Sequence, residues 1–136
     1  MSAVHLRIRA GGEEYGIPVE WVLEVAELGQ LTPVPGAAPG ILGVKNLKSQ
    51  VVPIVDLAAL LGLDSDSDPG RIVVAEGPAG KIGFTVQDVI SVGPLPEPSG
   101  SSESPYLAGS VLVDSSLVGI LDPAKIFAEL AAGQLP

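Results

Sequence analysis

One pattern occurs twice along this chain at a nearly constant spacing. Tyr15-Gly16-Ile17-Pro18-Val19-Glu20-Trp21-Val22 aligns with Ile82-Gly83-Phe84-Thr85-Val86-Gln87-Asp88-Val89. Ile41-Leu42-Gly43 aligns with Leu107-Ala108-Gly109, and Val52-Pro53-Ile54-Val55-Asp56-Leu57 with Val118-Gly119-Ile120-Leu121-Asp122-Pro123. The offset is 67 positions from Gly16 to Gly83, 66 from Gly43 to Gly109 and 66 from Asp56 to Asp122. A repeat constrains the fold more than any single segment, because both copies must satisfy the same local geometry.

Each copy reads as short strands and turns. Val4, Leu6 and Ile8 alternate with His5, Arg7 and Arg9, the period of a half-buried strand, which puts the polar three on the solvent side. Gly11-Gly12 turns the chain, and Tyr15, Ile17 and Val19 alternate in a second strand, giving a hairpin. Over Glu20–Glu27 the spacing changes: Trp21 and Val25, like Val22 and Ala26, are four apart, which predicts one or two helical turns. Pro33, Pro35 and Pro39 then impose an extended link. Apolar runs over residues 41–47 and 51–57 flank Lys48-Ser49-Gln50 as another hairpin, followed by a short helical piece over Ala58–Leu63 that ends at or near Gly62 and an acidic loop over 64–70.

The second half opens on Ile72-Val73-Val74, turns at Gly77-Pro78-Ala79-Gly80 and alternates again through Ile82, Phe84 and Val86. Residues 94–105 are rich in Pro and Ser and read as a long mobile loop. Residues 111–113 and 117–121 flank Asp114-Ser115-Ser116 as a last hairpin. Asp122-Pro123 is an N-cap with proline at the first helical position, and Ile126, Phe127 and Leu130 form the apolar face of a C-terminal helix. The tail beyond Gly133 is expected to fray. Closing each copy into its own small barrel would remove exposed strand edges.

Several functions are disfavoured by residue type. With 16 acidic and 7 scattered basic residues the chain carries a net charge of −9, so it lacks the clustered basic face that phosphate neutralisation requires. Nucleic-acid binding and adsorption to an anionic membrane are therefore not expected. No apolar run approaches the roughly 20 residues that span a bilayer, and no signal-peptide core follows Met1. Cysteine is absent, which removes thiolate chemistry and agrees with a cytoplasmic location. His5, the single histidine, reads as a solvated strand residue. Asp64, Asp66 and Asp68 depart from the calcium-loop template, with Pro69 where glycine belongs and Ala75 at the twelfth position. No Gly-x-Ser-x-Gly elbow or phosphate cradle is present, so neither an enzyme nor a cofactor is expected.

The order of these motifs resembles the CheW family of chemotaxis coupling proteins. The resemblance runs from Glu14-Tyr15-Gly16-Ile17-Pro18-Val19 through Val22-Leu23-Glu24-Val25, Leu31-Thr32-Pro33-Val34-Pro35 and Gly43–Leu57 to Ile82–Val89 and Val118–Asp122, covering roughly residues 4–130. It implies a mostly β chain forming one domain over residues 1–136, with two pseudo-repeated five-stranded SH3-like β-barrels, short helices and a C-terminal helix. It further implies an adaptor that joins the signalling tip of methyl-accepting chemotaxis receptors to the regulatory domain of a CheA-type histidine kinase. Such a protein needs no cofactor, and would sit in the cytoplasm or at receptor arrays.

The family's acidic residue after the short helical turn falls on Glu24, and its Asn-Leu-Arg-Gly hairpin falls on Asn46-Leu47-Lys48-Ser49. The family's acid and arginine are expected to pair beside the receptor groove. Here Lys48 replaces the arginine and cannot make a planar bidentate contact, while Ser49 replaces a glycine. Val22 and Leu47 are candidate apolar contacts, with core burial the alternative. Lys45 and Lys48 are expected to share one face of the hairpin and to meet acidic partner residues, a plain solvated face being the alternative. The departures at Lys48-Ser49 leave open a second reading, an accessory adaptor that binds receptors without coupling to the kinase.

Overall fold

The computed structural model describes residues 3–36, 40–64, 69–78, 80–99 and 104–132. Strands β1 (Ala3–Ala10) and β2 (Glu13–Pro18) are followed by a 3-10 turn at Val19–Trp21, then β3 (Val22–Glu27), β4 (Ile41–Leu47), β5 (Gln50–Val55) and helix α1 (Leu57–Leu60). The second half supplies β6 (Arg71–Gly77), β7 (Gly80–Val86), β8 (Asp88–Leu95), β9 (Leu107–Val113), β10 (Ser116–Leu121) and helix α2 (Pro123–Ala132). The helical turns expected over residues 20–27 shrink to the 3-10 turn, because the backbone from Val22 onward pairs with β6 and the β-branched Val22 and Val25 suit a pleated surface. Strand β8, between the alternating run ending at Val86 and the Pro-rich loop, is an addition to the sequence reading. It includes Pro94, which an outer strand tolerates because no ladder donor is required on its free edge.

The repeat is present strand for strand, but the copies do not close on themselves. One sheet runs β8-β1-β2-β10-β9 and the other β3-β6-β7-β5-β4. Each copy therefore lends its first hairpin to the barrel of the other, correcting the expectation of self-contained units. The seams are equivalent: β2 pairs in parallel with β10 at Gly16–Ile120, as β7 does with β5 at Gly83–Ile54. Register slips leave Leu23 and Ile90 as matched bulges, and Leu42 and Ala108 as another matched pair. Isolated bridges Thr32–Val44 and Ser99–Ser110 tie the segments that follow β3 and β8 to the opposite outer strands, β4 and β9, and so close the barrels.

The exchange has a packing rationale. Among the described residues, fifteen buried apolar side chains form a central cluster, whereas each barrel interior holds four. A barrel of one copy alone would have too small a core to be stable. Crossing the hairpins puts Leu6, Ile8 and Ile17 against Val73, Ile82 and Phe84 between the barrels. Phe127 of α2 stacks on Trp21 at 5.7 Å and meets Phe84 edge-on at 6.4 Å, joining both copies. The side chain of Leu130 and the tail beyond Gly133 lie outside the described residues.

Both helices begin as their sequences indicate. The Asp56 carboxylate accepts from Ala59 N at 3.2 Å, and that of Asp122 from Lys125 N at 3.3 Å. Helix α1 starts one residue before the expected Ala58 and stops at Leu60, just short of Gly62, the expected end, which has φ +79°.

His5 contradicts its sequence reading. It is 5 % exposed, and its Nδ1 lies 2.7 Å from the Ala3 carbonyl, which can only accept. Because β1 is an interior strand of its sheet, the face assigned to solvent by alternation points into a barrel. Arg7 shares that face and is held by Glu14 Oε1 at 3.0 Å from Nε and 2.8 Å from Nη2.

Candidate functional site

The hairpin β4–β5 and the neighbouring strand β3 carry all seven residues singled out from the sequence. The hairpin turns through Lys48 (φ +50°) and Ser49 (φ +68°), both left-handed, the geometry of a type I′ turn that matches strand twist. Asp114 (φ +47°) and Ser115 (φ +69°) repeat it between β9 and β10. Ser49 thus occupies a position where glycine would be unstrained, and the turn is retained rather than rebuilt.

Glu24 and Lys48 meet: Lys48 Nζ is 3.3 Å from Glu24 Oε2, with side chains 83 % and 35 % exposed respectively. The pair spans the seam between β3 and β4, the two outer strands of their sheet. An exposed single-point contact of this kind contributes about 0–1 kcal/mol, too little to define the fold.

Lys45 and Lys48 do not share a face, contrary to expectation. They are three positions apart, Lys48 sits in the turn, and Lys45 lies opposite the buried Val52. The Lys45 stem runs along the barrel end and its ammonium donates to the Leu28 carbonyl at 3.0 Å. Leu47 faces the same way and packs, partly buried, against the cluster of Val52, Ile54, Ile72 and Val74. Val22 is likewise half-buried, against the central cluster. Asn46 is exposed opposite Val51, which is 67 % exposed. Val51 was missed in the sequence because it opens an apolar run. Counting parity back from Val52 through the two-residue turn would have put it outside with Asn46.

Among the described residues no cluster of His, Asp or Glu could hold a metal, and no helix is long and apolar enough to cross a membrane. Asp66 and Asp68 lie outside the described residues. A paired-charge hairpin tip beside half-buried aliphatic side chains is suited to contact with another protein.

The fold defines a mostly β, double-barrel module. Residues 5–131 match the family model of the CheW-like domain, and the chain belongs to that family. It is 28 % identical to a probable chemotaxis protein CheW of Rhizobium etli over 134 residues, spanning 91 % of this chain and 86 % of that one. It is 31 % identical to the chemotaxis protein CheW of Thermotoga maritima over 119 residues, spanning 82 % and 77 %. The crystal structure of the scaffolding protein TtCheW from Thermoanaerobacter tengcongensis superposes with a TM-score of 0.79 at 24 % identity, covering 90 % of this chain and 85 % of that one. The two five-stranded sheets of the present chain match the SH3-like double-barrel fold expected from the resemblance.

Proposed function

We propose that this chain is a cytoplasmic chemosensory adaptor that couples methyl-accepting chemotaxis receptors to a CheA-type histidine kinase through protein–protein contacts, without catalysis or cofactor. Residues 1–136 act as one domain with two barrel subdomains, recruited to receptor arrays. The observation that carries this reading is the Glu24–Lys48 pair at the β3–β4 seam. It reproduces with lysine the acid–base pair that the family resemblance assigns to the partner-binding face. Val22, Asn46, Leu47 and Ser49 flank it, and Lys45 holds the neighbouring barrel end in shape.

The substitution of arginine by lysine motivates a second reading, an accessory adaptor that binds receptors but does not couple to the kinase. The lysine head group can offer only a point charge where a guanidinium offers a fork. The test is binding of the purified protein to the regulatory domain of its own kinase and, separately, to a receptor signalling-tip fragment. Coupling requires both at micromolar affinity or tighter. Receptor binding alone selects the accessory adaptor, and binding to neither refutes both.

A further inference from the structure

The two barrels share a strand plan but differ inside. In the barrel built on β3–β5, Ile72 and Leu31 pack around Val52 and Ile54. At the repeat offset of 67 the matching residues of the other barrel are His5 and Pro98, and Ala108 stands where the first copy has Leu42. All three border a cavity of about 350 Å³ at the end of the second barrel, walled by Pro18, Trp21, Leu95, Pro96 and Ile120. That volume falls in the range of small-ligand sites, roughly 300–1,000 Å³.

His5 supplies a polar atom that a ligand can reach. Its Nδ1 carries the proton it donates to the Ala3 carbonyl at 2.7 Å, so in the neutral ring Nε2 is an acceptor. No described residue donates to Nε2. The histidine is buried, yet among the described residues the fully enclosed side-chain atom without a partner is Arg9 Nε, not His5 Nε2. Nε2 therefore opens on the cavity that His5 lines. An acceptor held in so apolar a wall gains from any donor brought to it.

The charges of the wall select against ions. Glu97 and Asp122 are both engaged within the chain, Asp122 with Lys125 N at 3.3 Å and Lys125 Nζ at 3.9 Å, so neither stands free for a cation. The same two carboxylates, in a chain of net charge −9, repel an anion. We propose that this cavity binds a small uncharged aromatic alcohol, a phenol in chemistry. Its hydroxyl donates to His5 Nε2, and its ring lies among Trp21, Leu95, Ile120 and the prolines. This goes beyond the adaptor role and does not depend on it.

The probe is para-cresol, un-ionised at neutral pH as the tyrosine phenol is. It is titrated against the full chain beside para-xylene, which carries a methyl group in place of the hydroxyl. Trp21 is the single tryptophan and lines the cavity, so its indole N–H resonance reports occupancy. Saturable one-to-one binding of the cresol, with a shift of that resonance, is expected. His5→Ile copies the first barrel and removes the acceptor while keeping a side chain of similar size. It is expected to lower the ratio of cresol to xylene affinity roughly tenfold, the worth of one buried hydrogen bond. Taking the ratio cancels the greater aversion of xylene for water and any general change in the cavity. Ala108→Leu, at an exposed bulge, copies Leu42 and is expected to weaken both ligands by occupying their space, and it tests the site should His5→Ile not fold. Absence of saturable cresol binding at Trp21, an unchanged affinity ratio in His5→Ile, or unchanged cresol binding in Ala108→Leu overturns the proposal.

Discussion

Lys48 Nζ and Glu24 Oε2 lie 3.3 Å apart across the seam where β3 and β4 close their barrel. The Thr32–Val44 bridge, with N–O distances of 2.9 and 2.8 Å, ties the segment that follows β3 to β4. The backbone therefore closes the barrel without help from the ion pair. Glu24→Ala and Lys48→Ala are each expected to change unfolding free energy by less than about 1 kcal/mol. Under the proposed function each nevertheless weakens binding to the receptor fragment. Urea denaturation and binding titration of the same variants separate the two effects, and a large loss of stability would count against the site assignment.

The hairpin turn stores strain that can be removed. Both Lys48 and Ser49 hold positive φ, which costs an ordinary residue about 1–2 kcal/mol and Asn or Gly much less. Replacing Lys48-Ser49 by Asn-Gly is expected to raise stability by about 1 kcal/mol or more while removing the Lys48 charge. Ser49→Gly alone retains that charge and is expected to give part of the gain. Denaturant midpoints measured on both variants check the order.

The parallel seams leave no space for a side chain. A Cβ on Gly83 would stand 2.6 Å from Ile54 Cδ1, and Ile54 is fully buried. Gly83→Ala is expected to destabilise by about 1–3 kcal/mol through overpacking. Ile54→Val removes the clashing methyl, so the double variant should lose less than the sum of the two single losses. A cycle showing strict additivity would mean that the seam relaxes by another route.

Tyr15 predicts an alkaline limit. Burial, and secondarily the Glu13 carboxylate, raise its hydroxyl above the usual 10.0. The folded state then keeps a proton that the unfolded chain releases, so this contribution is complete below pH 10 and is lost as pH climbs past it. Unfolding free energies from pH 8 to 11 should fall more steeply for the parent than for Tyr15→Phe.

Local features were legible before the structure. Period-two alternation marked β1, β2 and β7, turn residues marked the hairpins, and Asp56 and Asp122 marked the helix starts. The candidate residues Glu24 and Lys48 came from resemblance, and their proximity needed the fold. The reading of Glu20–Glu27 as helical failed because a four-residue spacing occurs by chance in an alternating segment with Val at positions 19, 22 and 25. The strand's parity, with Val22, Glu24 and Ala26 partly buried and Leu23, Val25 and Glu27 exposed, runs against hydropathy, since it sends Leu23 and Val25 outward. His5 and the lysines were misplaced for a related reason, since alternation says which residues share a face but not what that face meets.

The sequence by itself determined the repeat, the strands and turns of each copy, and the apolar material for a shared core. Side-chain size, β-branching and turn conformation act within a few residues, so they can be read from the chain. Tertiary structure decided that the copies exchange hairpins, that one face of β1 lines a barrel with His5 and Arg7, and that Glu24 meets Lys48. Those outcomes depend on which strand edge each hairpin joins. Backbone N–H and C=O groups are alike in every strand, so residue identity does not name the partner. The choice falls to the packing of the whole, where the exchanged arrangement buries the central cluster between the barrels.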